Sequence, residues 1–193
     1  MNKLSAYIKS MRLRTLPLSL SGVCLGMMLA YADYRFKLST ALWIMLTTVC
    51  LQILSNIANE LGDTLSGVDG EQRVGPQYSL GEGGLTVRNM KWFIIVVAIC
   101  CIGSGLMMIR SSFGTLFSLE SICLMMLGAA AMGGAIKYTL GRNPYGYRGL
   151  GDISVFTFFG IVSVLGAYLV AAREIPGWIT ILTAAAIGCF SVV

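Results

Sequence analysis

Histidine is absent from the 193 residues of this chain, and acidic and basic side chains together make up only 12% of it. Without histidine there is no imidazole for acid–base catalysis, for most zinc sites or for His-ligated haem. Soluble domains carry roughly 25% charged residues. So few charged side chains cannot cover a surface that faces water, whereas a composition that is 56% hydrophobic suits a surface that faces lipid. The composition therefore predicts an integral membrane protein.

Other missing features exclude further classes of protein. The six cysteines all lie within apolar segments and form no CxxC pair, so we expect small buried hydrophobic side chains rather than disulfides or metal ligands. A basic patch with interleaved aromatic residues is also missing, and we expect no nucleic-acid partner. No linker, low-complexity tract or clear internal repeat divides the sequence, so residues 1–193 are interpreted as a single domain.

Apolar runs predict an all-α membrane protein, a multi-pass transmembrane helical bundle. A short amphipathic helix on the membrane surface is expected at residues 4–14. The candidate spans, each judged against ~30 Å of hydrocarbon, are residues 16–32, 38–61, 92–109, 113–136, 153–172 and a sixth from Trp178. The last run is still apolar at Val193, with no interfacial aromatic or basic residue after it. We therefore expect the chain to be the front portion of a longer protein.

The distribution of basic residues predicts the orientation in the membrane. With the N-terminus in the cytoplasm, ten of the fourteen lysines and arginines fall on the cytoplasmic side, as the positive-inside rule requires. Two polar segments, residues 62–91 and 137–152, then lie on that same side. We expect a protein of the cell (inner) membrane whose unusual loops meet at the cytoplasmic face.

A stripe of polar side chains runs along the second span. At helical spacing its members share one face of an α-helix; they are Gln52, Ser55, Asn56, Asn59 and Asp63. Facing lipid, each group would lack partners at a cost of several kcal/mol, so the stripe must face the bundle interior or a watery cavity. For Gln52, Ser55 and Asn56, hydrogen bonding between helices and a functional role fit equally well. Carboxylates at the membrane mouth favour function.

Asn59, Asp63 and Asp69 form an oxygen-rich group at the end of this stripe. Asn59 and Asp63 are four residues apart, so both side chains can reach one point from a helix. Oxygen ligands without His or Cys favour Mg²⁺ or Ca²⁺. Mg²⁺ is typically shared between one or two carboxylates and the phosphates of a substrate. We predict an Mg²⁺ site at these three residues; a merely solvated acidic cluster stays open as an alternative.

The second polar segment, KYTLGRNPYGYRGLGD from Lys137 to Asp152, carries the complementary charge. Lys137, Arg142 and Arg148 could clamp phosphate oxygens, the arginines in a bidentate manner. Glycines and a proline let the backbone bend tightly over a ligand. Tyr145 and Tyr147, taken singly, also suit interfacial anchoring. Together the two segments predict a site for a multiply phosphorylated substrate with a long apolar tail.

These motifs resemble those of the UbiA-type intramembrane prenyltransferases, most closely the branch that acts on 1,4-dihydroxy-2-naphthoate in menaquinone synthesis. The resemblance rests on NELGD from Asn59 together with Asp69, on RVGP from Arg73, on the segment from Lys137 to Asp152, and on RTLP from Arg14. It implies a nine-helix bundle with a central cavity and lateral access for the prenyl chain, of which about six helices are present here.

The resemblance also implies a reaction, the Mg²⁺-dependent transfer of a polyprenyl group from polyprenyl diphosphate to 1,4-dihydroxy-2-naphthoate within membrane lipid. It implies that the catalytic residues are Asn59, Asp63, Asp69 and Arg142, of which the first three hold Mg²⁺. Tyr138 and Arg142 would contact the diphosphate, assisted by Arg73. The whole substrate-binding set expected is Arg14, Arg73, Lys137, Tyr138, Arg142, Tyr145, Tyr147, Arg148 and Asp152.

Two departures from the family pattern affect this interpretation. Glu60 stands where the family usually has aspartate, a change of one methylene. The family's second Asp-rich motif should follow the sixth helix, inside which this sequence ends; for a protein that stopped at Val193 we would expect little or no transfer. Three alternatives stay open: a prenyltransferase for another aromatic acceptor, a non-catalytic fragment and, more remotely, a small cation transporter.

Overall fold

The computed structural model describes residues 2–33, 37–67, 80 and 84–192, and in these ranges the chain forms helices and turns but no strand. The helices are α1 Lys3–Ser10, α2 Leu16–Asp33, α3 Leu38–Leu65, α4 Val87–Phe113, α5 Leu119–Lys137, α6 Gly151–Val155, α7 Ser163–Ala172 and α8 Trp178–Val192, with 3₁₀ turns at Leu13–Thr15 and Tyr145–Arg148 and a π-helical segment at Phe156–Val162. In the described ranges, five helical stretches are long and apolar enough to cross a membrane. The predicted all-α, multi-pass bundle is confirmed.

The predicted fourth span, residues 113–136, is wrong at its start. Gly114 ends α4 in the left-handed conformation, with φ of +76°, which glycine adopts readily at a helix C-terminus. α5 begins only at Leu119, because the Ser118 hydroxyl accepts a hydrogen bond from the Ser121 backbone N–H at 3.2 Å and caps the helix. Apolar residues on both sides of the turn conceal this boundary in the sequence.

Two glycines bring α2 and α7 into close contact. A Cβ at Gly26 would overlap the carbonyl oxygen of Val164, and one at Gly22 would overlap the hydroxyl of Ser163. Such a Gly-xxx-Gly pair lets helix backbones approach in a membrane. Met27 and Ala30 of α2 are buried in the same core as α7. The spacing of the two glycines therefore fixes one wall of the bundle.

The π-helical segment between α6 and α7 packs against α8. A Cβ at Gly160 would overlap the backbone of Gly188, so these two helices also touch backbone to backbone. π-Helical turns occur mostly as single insertions in α-helices, frequently at functional sites. Here the segment supplies Phe158 and Phe159 to the wall of an internal cavity.

A second core joins α3 to α4 and to the N-terminal helix. Its buried members include Leu54 and Ile57 of α3 and Met90 of α4, and Ala6 of α1 is fully buried among them. The prediction of a helix at 4–14 is too long, because α1 ends at Ser10 and a 3₁₀ turn follows. α1 is therefore docked on the bundle by one face.

The cysteines are free, as expected, but the expectation that all are buried is wrong. Cys101 is buried, whereas Cys100, Cys123 and Cys189 lie on the outer surface of the bundle. Lipid tails and a protein core are both apolar, so a thiol is tolerated in either place. The apolar sequence around each cysteine could not distinguish the two.

Candidate active site

A cavity of about 360 Å³ lies between α2, α3, α5, the π-helical segment and α7. Its walls are largely aliphatic and aromatic, with Leu51, Leu124 and Phe158 among them. Within the described residues, no Lys, Arg, Asp or Glu side chain lines it. Such a space suits an apolar ligand. A strongly charged part of the same ligand would have to lie at the end of the cavity.

The polar stripe of α3 faces this cavity. Gln52, Ser55, Asn56 and Asn59 all line it, so the stripe is turned away from lipid. Asp63 lies one further turn along α3 and is half-buried at the end of the helix. The stripe therefore runs from the cavity wall to the polar segments beyond α3.

Gln52 and Asn56 bind the turn that joins α1 to α2. The Asn56 side-chain amide donates to the Met11 carbonyl at 2.8 Å and to Thr15 Oγ1 at 2.9 Å. Gln52 donates to Thr15 Oγ1 at 3.0 Å and to Asn56 Oδ1 at 3.2 Å. For these two residues, hydrogen bonding between segments is what the structure shows. Thr15, part of the RTLP motif, is their common partner.

Asn59 contacts the segment that follows α5. Thr139 Oγ1 lies 3.2 Å from Asn59 Oδ1, to which it donates, and 3.1 Å from the carbonyl oxygen of Ala58. Gly62 allows this approach, because a Cβ there would lie 2.6 Å from the Thr139 carbonyl oxygen. The C-terminal end of α3 therefore packs directly against the second polar segment.

Asp63 contacts the same segment through Tyr147. The Tyr147 hydroxyl donates to Asp63 Oδ1 at 2.7 Å, and Ser66 Oγ lies 3.0 Å from the same hydroxyl. The pKa of Tyr147 lies above the ordinary value for tyrosine. Burial is the largest cause; the hydrogen bond with Ser66 lowers the pKa, and the Asp63 carboxylate raises it. The phenol therefore stays protonated at neutral pH and is the donor in its bond with Asp63.

Glu60 has a different environment from its two polar neighbours on α3. Its side chain is fully buried and accepts a hydrogen bond from the Leu80 backbone N–H at 3.1 Å. It is not among the residues that line the cavity. The side chain that departs from the family pattern thus holds Leu80, within the 62–91 segment, rather than facing the cavity.

Tyr138 and Tyr145 stand at the cavity wall, where the second polar segment begins. Their rings meet edge to face with centroids 5.3 Å apart, and the Tyr145 hydroxyl donates to the Gly134 carbonyl at 2.9 Å. Burial, followed by Tyr145, Asp63 and Asp152, raises the pKa of Tyr138. Tyr138 is therefore a neutral phenol within the electrostatic reach of both carboxylates.

The charged residues of the predicted binding set that the structure describes are exposed at the surface. Those at or near the second polar segment and the N-terminal turn are Lys137, Arg142, Arg148, Asp152 and Arg14. Asp69 and Arg73 lie outside the described residues. Sequence reasoning did not single out Thr139, although it sits inside the recognised motif between Tyr138 and Arg142. That Thr139 packs against Gly62 of NELGD depends on the docking of two distant segments and carries no signal in the sequence.

The side-chain oxygens at the C-terminal end of α3 suit a hard divalent cation. Asn59 and Asp63 offer an amide and a carboxylate oxygen, the donors that Mg²⁺ takes. In the part of the chain that the structure describes, no three His, Cys, Asp or Glu side chains cluster. The described residues therefore provide a partial ligand set, as suits a cation shared with a phosphorylated substrate.

Comparison with known proteins identifies relatives of this chain. The sequence model of the UbiA prenyltransferase family matches residues 19–193. The chain is 39% identical over 95% of its length to a 1,4-dihydroxy-2-naphthoate octaprenyltransferase of Escherichia coli, of which it covers 59%. It is 37% identical over 92% of its length to the protein of the same name in Haemophilus influenzae, covering 58%.

A further relative extends the comparison to another bacterial group. The chain is 32% identical over 99% of its length to a 1,4-dihydroxy-2-naphthoate octaprenyltransferase of Mycobacterium tuberculosis, of which it covers 62%. The chain thus spans about three fifths of the length of these curated relatives. No solved structure gives a significant match.

Proposed function

The chain belongs to the UbiA prenyltransferase family, and we propose that it is an aromatic prenyltransferase that transfers a polyprenyl group from polyprenyl diphosphate to 1,4-dihydroxy-2-naphthoate. The observation that carries the proposal is the contact of two polar segments beside an apolar cavity, through Tyr147 and Asp63 at 2.7 Å. Three relatives that carry the printed name 1,4-dihydroxy-2-naphthoate octaprenyltransferase support the choice of donor and acceptor.

The cavity supports an amphipathic donor. A prenyl chain is apolar and suits walls such as Leu51, Leu124 and Phe158, whereas a diphosphate cannot be buried among them without paired charges. The diphosphate therefore belongs at the end where Asn59 and Asp63 meet the second polar segment. Lys137, Arg142 and Arg148 lie on that segment and supply positive charge to phosphate oxygens.

Asn59 and Asp63, with Asp69 as the third expected ligand, would hold Mg²⁺. A cation held by these residues would supply Lewis-acid stabilisation of the negative charge on the departing diphosphate. The apolar cavity excludes water from the reacting allylic carbon, which would otherwise be hydrolysed. In the proposed reaction, the C–O bond to the diphosphate breaks and a C–C bond forms at the carboxyl-bearing carbon of the acceptor. Carbon dioxide and diphosphate leave, and the product is a demethylmenaquinol, which is at the same oxidation level as the dihydroxynaphthoate and is the reduced form of a demethylmenaquinone.

We propose that the protein lies in the cell (inner) membrane with its N-terminus in the cytoplasm. The five span-length helices support a membrane location. In this orientation the 62–91 and 137–152 segments face the compartment that holds the soluble substrate, 1,4-dihydroxy-2-naphthoate. The apolar donor and product stay within the lipid.

Transfer by the full-length protein in isolated membranes tests the proposal. With radiolabelled prenyl diphosphate, 1,4-dihydroxy-2-naphthoate and Mg²⁺, label should enter a lipophilic product. Asp63→Asn, which preserves shape but removes the charge, should lower the rate by about 100-fold or more. Glu174→Gln, an exposed acid beyond α7, should retain the rate. Label transfer that is equally fast in Asp63→Asn, or absent in the wild type, would contradict the proposal.

A further inference from the structure

The hydroxyl of Tyr147 is hydrogen-bonded to one of the two carboxylate oxygens of Asp63. Oδ1 accepts the 2.7 Å bond from Tyr147. Within the described part of the chain, Oδ2 has no hydrogen bond. An ionised carboxylate has two equivalent oxygens and rotates readily about its terminal torsion. A bond to only one of them therefore selects one orientation of the group.

The position of Tyr147 is itself fixed by α5. Tyr147 lies in the 3₁₀ turn Tyr145–Arg148, and on one side of it the Gly146 backbone N–H donates to the Tyr138 carbonyl at 2.9 Å. A Cβ at Gly146 would lie 2.7 Å from that same oxygen, so the turn is packed as closely as the backbone allows. Tyr145 adds its hydrogen bond to Gly134. The turn is thus held against the end of α5, which fixes the backbone from which the phenol of Tyr147 reaches Asp63.

We propose that Tyr147 is a positioning residue: it orients the Asp63 carboxylate so that a single oxygen is presented to the divalent cation and diphosphate, and it does not itself bind substrate. This inference rests on the proposed function, and it changes the role expected for Tyr147 from the sequence. Partners that orient metal-ligating groups typically contribute 10–100-fold to metal affinity or activity. Loss of the Tyr147 hydroxyl should change how activity depends on Mg²⁺ concentration, because it changes only the orientation of the Asp63 carboxylate that binds the cation.

Tyr147→Phe tests the inference, since it removes the hydroxyl and retains the ring. We expect the Mg²⁺ concentration for half-maximal transfer to rise at least tenfold, while the rate at saturating Mg²⁺ stays near that of the wild type. Tyr168→Phe is the matched control: it removes a tyrosine–aspartate bond of 3.3 Å to Asp33, at the opposite end of the bundle. Its Mg²⁺ dependence should not change.

A binding readout separates this role from activity. Geranyl S-thiolodiphosphate, whose C–S bond resists cleavage, should raise the melting temperature of the solubilised wild type only when Mg²⁺ is present. The Mg²⁺ midpoint of this stabilisation should shift upward by the same factor in Tyr147→Phe, whereas the melting temperature without ligand should not. In an Asp63→Asn background, Tyr147→Phe should add no further shift.

The possible failures are distinguishable. A wild type without transfer would refute the proposed function. An active wild type with an unchanged Mg²⁺ midpoint in Tyr147→Phe would refute the positioning role alone. A Tyr147→Phe protein that loses rate at every Mg²⁺ concentration, or that melts lower without ligand, would equally overturn it in favour of substrate contact or structural support.

Discussion

Tyr147 and Asp63 are 84 positions apart in the chain, and their side chains are joined by a 2.7 Å hydrogen bond. The carboxylate is at the end of α3 and the phenol is in the turn after α5, so neither helix alone provides the site. Thr139 and Asn59 make a second bond between the same two segments at 3.2 Å. Because Thr139 joins the two segments without Tyr147, through Asn59 and the carbonyl of Ala58, they are held together before any ligand binds and do not depend on the Tyr147 hydroxyl for it.

Gly26→Ala should destabilise the bundle. The added Cβ would overlap the Val164 carbonyl, and overpacking of this kind costs about 1–3 kcal/mol. The melting temperature of the solubilised protein should fall. Gly103→Ala on α4 is the matched control, because nothing lies within 4 Å of its Cβ; it should be neutral or slightly stabilising, as alanine favours helix. Equal melting temperatures for the two variants would contradict the close contact.

Asn56→Leu should release the turn between α1 and α2. The variant removes the donors to Met11 and Thr15; Thr15 keeps its bond from Gln52, whereas the Met11 carbonyl loses this donor, a loss that costs about 1–3 kcal/mol where the acceptor stays unpaired. Trypsin should then cleave faster at Arg12 and Arg14. Thr47→Val, on the same helix, removes a bond made only within α3, to the Trp43 carbonyl at 2.8 Å. Cleavage that is as slow in Asn56→Leu as in Thr47→Val would count against the docking of this turn.

Reporter fusions test the proposed orientation. Alkaline phosphatase joined after Gly114 or Gly177, in the turns before α5 and α8, should be exported and active. The same enzyme joined after Asn143 should stay in the cytoplasm and be inactive. Alkaline phosphatase that is active after Asn143 and inactive after Gly114 and Gly177 would place the N-terminus and both polar segments outside the cell membrane, and would contradict the proposed orientation.

The stability of the protein should depend on Tyr138 at high pH. Its pKa is raised in the folded chain, chiefly by burial, so the unfolded chain loses the proton first as the pH rises. The contribution of protonated Tyr138 to the free energy of unfolding is complete below about pH 10, and it is lost as the pH rises past the raised pKa of Tyr138. Between about pH 9 and about pH 11, the melting temperature of Tyr138→Phe should fall less than that of the wild type. Tyr31→Phe, an exposed tyrosine on α2, should behave as the wild type does.

The helical periodicity of the sequence was sufficient to predict which face of α3 lines the cavity. Gln52, Asn56 and Asn59 share one side because a helix turns through about 100° per residue, and the penalty for unpaired amides in lipid excludes the outer face. The partners of these amides could not be predicted in this way. Met11 and Thr15 are brought to α3 by the docking of α1, which depends on packing between distant segments.

The helix boundaries and the cysteine environments show a second limit. Gly114 and Ser118 mark a turn between two apolar runs, and hydropathy alone does not separate it from the helices on either side. Cys100 and Cys101 are adjacent in sequence, yet one faces lipid and the other is buried. Core and lipid make equal demands on polarity, so only the packing of neighbouring helices decides between them.

The segment Phe156–Val162 closes its backbone bonds over five residues rather than four. Wound as an ordinary α-helix, the same seven residues would turn all that follows by about 100° more. Val164 and Ala167 would then turn away from Gly26, and the aromatic pair Phe158 and Phe159 would no longer face the same space. The winding of the backbone in this segment, as much as the identity of its residues, therefore sets the angular register of the second half of the bundle against the first.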